Sequence, residues 1–418
     1  MRNGREESKP KEENTKRRKK PKENVEISKG VDIANNDVQK EKKKREKKIN
    51  EKSNGEKAKV FRYVLLILIA ILLIVGSKYR HIIGITFMKE ITEDDAIIIE
   101  TTTSDNKVYA YQNELLVYSK GKLETYSRYG KKTWEYTFEE TFIPEITTKG
   151  KYIQVVNKNN GYIYVFENKY ESCRKKIDGT IKRASINEKG QSIIHYSKEG
   201  IKSNVGVYDK KGNEKYSITL TTENVAKVDV SPNGRYAMIY EVETKGISPN
   251  SLVKVVDLNN DDKVTTSLEV SNDTIYDIKL TNSKIIAISS DTVYTYDINS
   301  SSKREFKTDD KNISNIAIDK SGIAYVCKEI SDESNTIVML NSKYEEIGKH
   351  KYEENVKYFT YYNSLAVVTY NKEIDIYNRW GMHIKKFTAN SIITSPIIFN
   401  EGKNIAINYS NKIVVIGI

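Results

Sequence analysis

The chain divides into three regions by its pattern of apolar and polar residues. Residues 1–59 show no apolar periodicity and contain charge runs such as KRRKKPK (16–22) and KEKKKREKK (40–48). Residues 64–76, VLLILIAILLIVG, are uniformly apolar. From about residue 95 onward, short stretches of alternating apolar and polar residues are separated by polar turns that usually contain glycine. This last pattern predicts many short β-strands and no long amphipathic helix.

A strand–turn–strand unit recurs through the third region. In its clearest copy, VSPNGRYAMIY (230–240), Pro232, Asn233 and Gly234 are suited to reverse the chain between two strands. Further copies lie at residues 146–156, 186–196, 280–290, 318–328 and 399–409.

A second element, a strand that ends in an aromatic or apolar residue before a polar turn, recurs alongside the first. Its eight anchors are spaced 37 to 48 residues apart and are Tyr126, Phe166, Tyr208, Val256, Tyr296, Leu340, Tyr377 and Ile416. A period of about 40 residues with strand signals throughout predicts a β-propeller with four strands in each blade.

The number of blades follows from how the chain ends. Seven complete units fit between Val108 and Thr388, and the segment from Ile392 onward supplies only three strands. The stretch DAIIIETTT (95–103) can supply the fourth strand, which closes the ring and leaves no open sheet edge. We therefore predict an all-β, eight-bladed propeller over residues 95–418, with seven blades as the alternative.

The apolar run has the properties of a membrane span. With its flanks it covers residues 60–80, which is the length of a transmembrane helix, and it has no polar face. Because 22 Lys and Arg lie at or before Arg62, the positive-inside rule places the N-terminus in the cytoplasm. The prediction is a single-pass signal anchor in the cytoplasmic (plasma) membrane, contacting the bilayer through residues 60–80. Residues 81–94 are then a linker, and the propeller lies outside the cell.

The net positive charge is confined to the N-terminal part of the chain. Of the net charge of +12, residues 1–59 carry +9 and residues 60–80 carry +3, whereas residues 81–418 hold 45 basic and 45 acidic residues. Composition therefore gives no support for a nucleic-acid-binding stripe on the large domain, and no specific nucleic-acid partner is predicted. The tail, residues 1–59, cannot bury enough apolar surface to order itself, and we predict it to be disordered. Its lysines make anionic lipid headgroups a secondary expected partner.

Two motifs resemble known propeller families. The S-P-N-G-R turn at residues 231–235 resembles the S-P-D-G-K/R turn of TolB-like and WD40-like propellers, with Asn233 where Asp is usual. YSRYGKKTWEYTF (126–138) resembles the D-x-x-T-G-x-x-x-W repeat of quinoprotein-like propellers such as BamB, with Ser127 in the Asp position and Trp134 in the Trp position. With the basic tail and the single span, the layout is similar to an uncharacterised family of membrane-anchored propellers in AT-rich Gram-positive bacteria. The resemblance implies a fold and a location, and no activity.

The residue types that usually carry catalysis are sparse. None of the four histidines has a second histidine at metal-ligand spacing, and we predict structural or exposed roles for His81, His195, His350 and His383. The two cysteines, Cys173 and Cys327, match no metal or redox motif and are predicted to be free, buried thiols.

Carboxylate patterns are equally unspecific. Asp257, Asn259 and Asp261 stand in D-x-N-x-D order, but the Gly and Glu that complete a calcium loop are missing, which favours an exposed polar hairpin. Paired acids at 94–95, 261–262 and 309–310 are expected in solvated turns, since only their separation in space could support glycosidase chemistry. No G-x-S-x-G elbow occurs, and no catalytic, cofactor-binding or metal-binding residue is predicted.

The sequence therefore favours a non-enzymatic propeller that binds or scaffolds a cell-envelope protein or a wall polymer. A propeller enzyme, a lyase or hydrolase acting on envelope glycan or peptide, is the first alternative. An envelope sensor that signals through the span to the basic tail is the second. The rim loops, where the repeats differ most, are the expected binding region, notably the insertion EVETKGISPNS (241–251).

Overall fold

The structure is a computed structural model of the 418-residue chain. It describes residues 42–45, 59–76, 88–101, 106–221, 224–243, 249–260, 264–271, 273–308, 312–319, 322–328, 334–363, 365–378, 380–393 and 395–418. The chain forms two units, Met1–Lys78 and Tyr79–Ile418. The flanks of the predicted span after residue 76, and His81, lie outside the described residues.

Helix is the secondary structure described in the first unit. Residues 42–45 are helical, and Lys59–Gly76 forms an 18-residue helix with a mean hydropathy of 2.5 and none of it buried. At the α-helical rise this helix is about 27 Å long, close to the thickness of a bilayer's hydrocarbon core. Among the described residues it is the one helix long and apolar enough to cross a membrane, which is consistent with a single-pass anchor.

The second unit is built from four-stranded antiparallel blades that follow one another along the chain. Blade 1 contains β3 (Lys107–Tyr111), β4 (Glu114–Ser119), β5 (Lys122–Tyr126) and β6 (Lys132–Thr137). Blade 2 contains β7 (Glu145–Lys149), β8 (Tyr152–Asn157), β9 (Tyr162–Glu167) and β10 (Tyr170–Lys176). Blade 3 contains β11 (Thr180–Ile186), β12 (Ser192–Lys198), β13 (Ile201–Tyr208) and β14 (Glu214–Thr219). Blade 4 contains β15 (Val225–Val230), β16 (Tyr236–Glu243), β17 (Asn250–Asp257) and β18 (Val264–Val270).

The same order continues through the second half of the ring. Blade 5 contains β19 (Asp277–Leu280), β20 (Lys284–Ile288), β21 (Thr292–Asp297) and β22 (Ser302–Lys307). Blade 6 contains β23 (Asn312–Asp319), β24 (Gly322–Lys328), β25 (Asn335–Asn341) and β26 (Glu346–Tyr352). Blade 7 contains β27 (Tyr358–Tyr362), β28 (Leu365–Tyr370), β29 (Glu373–Tyr377) and β30 (His383–Thr388). Blade 8 contains β31 (Pro396–Phe399), β32 (Asn404–Asn408), β33 (Lys412–Gly417) and β2 (Ile97–Glu100).

The predicted architecture is confirmed: the described residues form eight blades. All eight anchors lie on the third strands of their blades, and the recurring hairpins join first strands to second strands. The final blade closes as expected, because β2 pairs antiparallel with β33 and places Ile97 opposite Val415 and Ile99 opposite Ile413. Of the insertion at 241–251, residues 244–248 lie outside the described part of the chain.

One strand precedes the predicted start of the propeller. Strand β1 (Lys89–Thr92) pairs in parallel with β30 and makes blade 7 a five-stranded sheet. Its Ile91 is buried while the residues on either side are exposed, so one apolar side chain adds to the backbone pairing that holds the strand against the ring. A short 3₁₀ turn, Glu93–Asp95, then leads into β2, and a second 3₁₀ turn, Asn400–Gly402, lies in blade 8.

A five-residue turn recurs between strands. In the turn that begins at Asp209, the side-chain oxygen Oδ1 accepts the N–H groups of Lys211 and Asn213, both at 2.9 Å. The Gly212 N–H donates to the Asp209 carbonyl, and Gly212 has a φ of +83°. The same arrangement begins at Asn187, where the Lys189 and Gln191 N–H groups donate to the side-chain oxygen. The pattern Ser/Asn/Asp-x-x-Gly-x therefore specifies this turn, because it supplies an acceptor at the first position and a left-handed residue at the fourth.

Blades pack on one another through apolar faces. The described residues contain eight buried apolar clusters, one between each pair of neighbouring blades. One of them joins Phe399 and Val415 of blade 8 to Leu115 and Val117 of blade 1, so the ring is closed by packing as well as by hydrogen bonds. Each fully buried aliphatic side chain stabilises the fold by about 1.5–3 kcal/mol.

Candidate functional site

Strand direction alternates within each blade, so the connecting turns divide into two sets. Turns that join first to second strands and third to fourth strands lie at one end of the propeller, called here the front end. Turns that join second to third strands, and fourth strands to the next blade, lie at the back end. Because the turns carry the variable side chains, these two ends are the surfaces on which binding residues can be presented.

A polar cavity of about 510 Å³ opens at the front end, where the first strands of all eight blades end. Backbone and apolar side chains form much of its wall. The charged residues that line it are Lys149, Glu188, Asp229, Lys279 and Asp319. Two lysines and three carboxylates thus line the mouth of the central channel, which suits it to polar ligands.

Asp229 and Lys279 are the most constrained of these groups. The Ser185 hydroxyl and the Val230 N–H each donate to Asp229 Oδ1 at 2.9 Å, and burial raises the pKa of Asp229 although these bonds and Lys149 oppose the rise. Lys279 Nζ donates to the Ile318 carbonyl at 2.8 Å, and burial lowers the pKa of Lys279. Both side chains are held by the wall, so the cavity has fixed polar positions.

The described histidines lie away from this cavity. His195, on β12, is buried and its Nε2 lies 2.9 Å from the Ser203 hydroxyl. His350 and His383 lie on the fourth strands of blades 6 and 7, where the two rings flank Tyr377 at centroid distances of 4.1 and 4.9 Å. Sequence spacing alone gave no sign that these two rings approach the same tyrosine.

A buried carboxylate lies beside the His383 ring. Asp375 Oδ1 is 3.1 Å from His383 Nε2, and the Tyr370 and Tyr352 hydroxyls donate to Oδ2 at 2.8 and 3.3 Å. Tyr352 also hydrogen bonds to Tyr377. The network lies between blades 6 and 7, and none of its residues lines the front-end cavity. None of the cavities among the described residues reaches this network, so its geometry fits a polar contact that holds two blades together.

Exposed aromatic side chains mark the rim of the front end. Tyr129 and Tyr170 lie at the turns between third and fourth strands of blades 1 and 2, and 67% and 80% of their surface is exposed. Trp380, at the equivalent turn of blade 7, is 56% exposed. Arg128 lies over the Tyr129 ring at 4.6 Å. Large, mostly exposed rings are typical of binding surfaces, where their burial contributes much of the affinity.

The carboxylate patterns singled out from the sequence are not brought together. Asp257 is buried and accepts two hydrogen bonds from the Arg235 guanidinium, at 2.8 and 3.0 Å, so its carboxylate is already engaged within blade 4. Residues 261–263 and 309–311 lie outside the described part of the chain. Among the described residues no group of three or more His, Cys, Asp or Glu is placed to hold a metal ion. Cys173 and Cys327 are free and buried, as predicted.

The sequence pointed to the rim loops but to no single residue in them, and the insertion it singled out, 241–251, joins the second strand of blade 4 to the third, at the back end. The cavity residues Asp229 and Lys279 lie on first strands, where alternation predicts only packing. The rim residues had a usable signal: Tyr129 and Trp380 both occupy the third position of the recurring five-residue turn. The side chain at that position takes no part in the hydrogen bonds that hold the turn.

The described strands define an eight-bladed β-propeller with a polar channel mouth, and an apolar helix lies ahead of it in the chain. Residues 89–418 match the model of the DUF5711 family, described as a family of unknown function, and the chain belongs to this family. The match begins at the first residue of β1, so the family pattern includes the additional strand on blade 7. The resemblance to an uncharacterised propeller family is thereby confirmed.

Solved structures with similar folds are distant in sequence. The C-terminal WD40 domain of Sif2 is 11% identical, with a TM-score of 0.55, over 77% of this chain and 98% of that chain. Sqt1 from Saccharomyces cerevisiae is 9% identical, with a TM-score of 0.52, over 78% and 98%. BamB from Moraxella catarrhalis is 12% identical, with a TM-score of 0.49, over 77% and 98%. At these identities the first two support the propeller fold alone. No curated protein matches the sequence.

Proposed function

We propose that this chain is a non-enzymatic binding module of the cell envelope. In this proposal the helix Lys59–Gly76 anchors it in the cytoplasmic membrane, the basic tail stays inside, and the propeller presents its front end outside to an envelope protein or wall polymer. The observation that carries the proposal is the exposure of Tyr129 and Tyr170 at turns on the same end of the propeller as the polar channel mouth. Exposed rings on a preorganised scaffold lose little entropy on binding, which favours recognition.

The charged groups at the channel mouth support binding rather than chemistry. Asp229 and Lys279 are each held by hydrogen bonds to the wall, and the described lining residues include no histidine or cysteine. The described His–carboxylate pair, His383 and Asp375, is enclosed between blades instead. A ring that fixes charges without a paired nucleophile and base is suited to orient a ligand.

In-cell crosslinking followed by mass spectrometry tests the binding role, with the intact anchored chain as bait. The wild type is expected to capture an envelope protein or polymer, and the Tyr129→Ser/Tyr170→Ser variant to lose most of it. Tyr276→Ser is the matched control, because Tyr276 is 63% exposed but lies at the back end. Recovery of no envelope partner, together with turnover of a wall fragment by the purified full-length chain, would overturn the proposal.

Protease accessibility tests the orientation. In right-side-out spheroplasts, added protease is expected to cut the propeller and to leave an epitope placed before residue 59 intact. Loss of the N-terminal epitope with protection of the propeller would show the reverse orientation and would sink the envelope assignment.

A further inference from the structure

The propeller separates its charges between its two ends, although residues 81–418 have no net charge. The described turns at the front end carry ten basic and four acidic residues. The described turns at the back end carry four basic and eight acidic residues. Most of the front-end excess lies on blades 1–3, whose turns contribute Arg128, Lys131, Lys151, Lys169, Lys189, Lys210 and Lys211.

Ion pairs within the protein neutralise some of these lysines. Glu167 binds Lys151 Nζ at 2.5 Å and Lys210 Nζ at 3.0 Å, and these two lysines hold the pKa of Glu167 at about 2. Lys169 Nζ lies 2.6 Å from Glu114 of blade 1. These pairs join blades 1, 2 and 3 into one continuous surface.

Other cations on the same surface have no acidic partner among the described residues. These residues, called here the basic arc, are Arg128, Lys131, Lys189 and Lys211. The nearby acids in the turns are few. Glu188 is exposed, and Asp209 is occupied by backbone N–H groups of its own turn and lies 3.8 Å from Lys215 Nζ. The arc therefore keeps an unbalanced positive charge.

The turns present these lysines in a defined way. Lys189 and Lys211 occupy the third position of the recurring turn, and Lys131 occupies the fifth position of its own copy, which begins at Ser127. In each case the backbone is held by the turn while the side chain is exposed. The three lysines belong to separate turns and none of them lines a described cavity, so they match a chain of charges better than a single small anion.

The side-chain chemistry selects the class of partner. Lysine is depleted from protein–protein interfaces, whereas an unpaired ammonium is a common point-charge contact for phosphate. Arg128 and the exposed Tyr129 hydroxyl add further donors on the same arc. We propose that the basic arc on blades 1–3 binds a linear phosphodiester polymer; this deepens the proposed function and rests on it. Affinity comes from replacing the polymer's counterions with the lysines of the arc.

Lysine footprinting of the full-length chain in uncharged detergent tests this at the level of single residues. The probe is soluble poly(glycerol phosphate), and the readout is the acetylation rate of each lysine by mass spectrometry. We expect Lys131, Lys189 and Lys211 to be protected and the exposed back-end lysines, Lys120 and Lys357, to be unchanged. Added salt should remove the protection, because counterion release drives the binding.

Matched variants give a second measurement. The front triple variant Lys131→Gln/Lys189→Gln/Lys211→Gln should bind the polymer about tenfold more weakly, with the slope of log K against log salt reduced by about 2. The back triple variant Lys120→Gln/Lys357→Gln/Lys372→Gln removes the same charge from exposed turns at the other end and should bind like the wild type.

Several outcomes overturn the inference. Unprotected front lysines would do so, as would equal protection by uncharged dextran. Protection by phosphatidylglycerol vesicles but not by the polymer would assign the arc to lipid. Crosslinks from the arc to a protein in cells would assign it to a protein partner, and the binding-module proposal would survive. Capture of no partner in cells, together with turnover of a wall fragment by the purified chain, would overturn both this inference and the proposed function.

Discussion

Glu93 and Lys412 form an ion pair, Oε2 to Nζ at 2.7 Å, across a separation of 319 residues. The Glu93 carboxylate is buried and also accepts the Asn390 N–H at 3.0 Å and the Tyr409 hydroxyl at 3.3 Å. It thereby joins the 3₁₀ turn before β2 to blades 7 and 8. Burial alone would raise the pKa of Glu93, but the bonds from Lys412 and Asn390 lower it, so the carboxylate stays charged at neutral pH.

Glu93→Ala is expected to weaken this seam of the ring. The change leaves Lys412 and the Asn390 N–H without their partner, which should cost about 2–4 kcal/mol of unfolding free energy. The measurement is the thermal midpoint of the full-length chain in detergent. Asp94→Ala, at the exposed neighbour in the same 3₁₀ turn, is the control and should change the midpoint little. Equal midpoints for the two variants would contradict a role of Glu93 in closure.

The glycine of the five-residue turn makes a second prediction. A Cβ at Gly212 would lie 2.6 Å from Cys173 Sγ, whereas a Cβ at Gly150 meets nothing within 4 Å. Both glycines have positive φ, so Gly150→Ala should cost the backbone strain alone, about 1–2 kcal/mol, and Gly212→Ala clearly more.

A double-variant cycle separates the two effects at Gly212. Cys173→Ala removes the sulfur that the new Cβ would meet, so Gly212→Ala should be less destabilising in that background than in the wild type. The measurement is the denaturant midpoint of all four chains. If the cost of Gly212→Ala is the same in both backgrounds, the steric contact does not limit the turn.

The fold was readable from sequence because the same physical requirement recurs in every blade. Asn233 and Gly234 reverse the chain in one hairpin, and residues such as Tyr208 and Ile416 repeat at the ends of third strands. Strand β1 was not readable, because one buried Ile91 among exposed residues gives no periodic signal.

The candidate site was less readable than the fold. Net charge over residues 81–418 is zero, and only the alternation of strand direction sorts Lys131 and Lys189 to one end. The approach of His350 and His383 to Tyr377 likewise depends on the packing of two blades. Positions set by pairing between distant segments cannot be derived from local pattern.

His195 predicts a pH dependence of stability. Burial, with smaller contributions from Arg183 and Lys182, lowers the pKa of His195 to about 4. An unfolded imidazole takes up a proton below about pH 6.5, and the folded one does not until about pH 4. The unfolded state therefore binds more protons in this window, and stability should fall as pH decreases from about 6.5 to 4, by on the order of 3 kcal/mol.

The variant His195→Met removes this titration. Its unfolding free energy should fall less steeply than that of the wild type between pH 6.5 and 4, even if its stability at pH 7.5 is lower because the contact with Ser203 is lost. The difference between the two curves isolates His195 from the carboxylates that titrate in the same range. A difference that stays constant across the window would rule out a buried, neutral His195.

Arg235 and Asp257 provide the opposite case to His195: here a buried group keeps its charge because a partner of opposite charge binds it. The Asp257 side chain is 2% exposed, and that of Arg235 is 45% exposed. Burial by itself would raise the pKa of Asp257, but the Arg235 guanidinium and the Asn259 N–H lower it. A depressed carboxylate pKa stabilises the fold above the unfolded pKa of about 3.9, and this contribution is lost as pH falls through the folded value.

Arg235→Gln should remove the guanidinium from the buried Asp257 carboxylate, which keeps the hydrogen bond from the Asn259 N–H. We expect a loss of about 1–3 kcal/mol at pH 7 and an acid unfolding limb that begins at higher pH, because the Asp257 pKa rises. Adding Asp257→Asn removes the uncompensated charge, so the double variant should be more stable than Arg235→Gln alone. Because residue 257 no longer titrates, its acid unfolding should begin at a lower pH than that of Arg235→Gln. The check is urea unfolding of the three chains at pH 7 and pH 4. If Arg235→Gln matches the wild type at both values, Asp257 does not depend on the guanidinium, and the turn is held by its backbone hydrogen bonds instead.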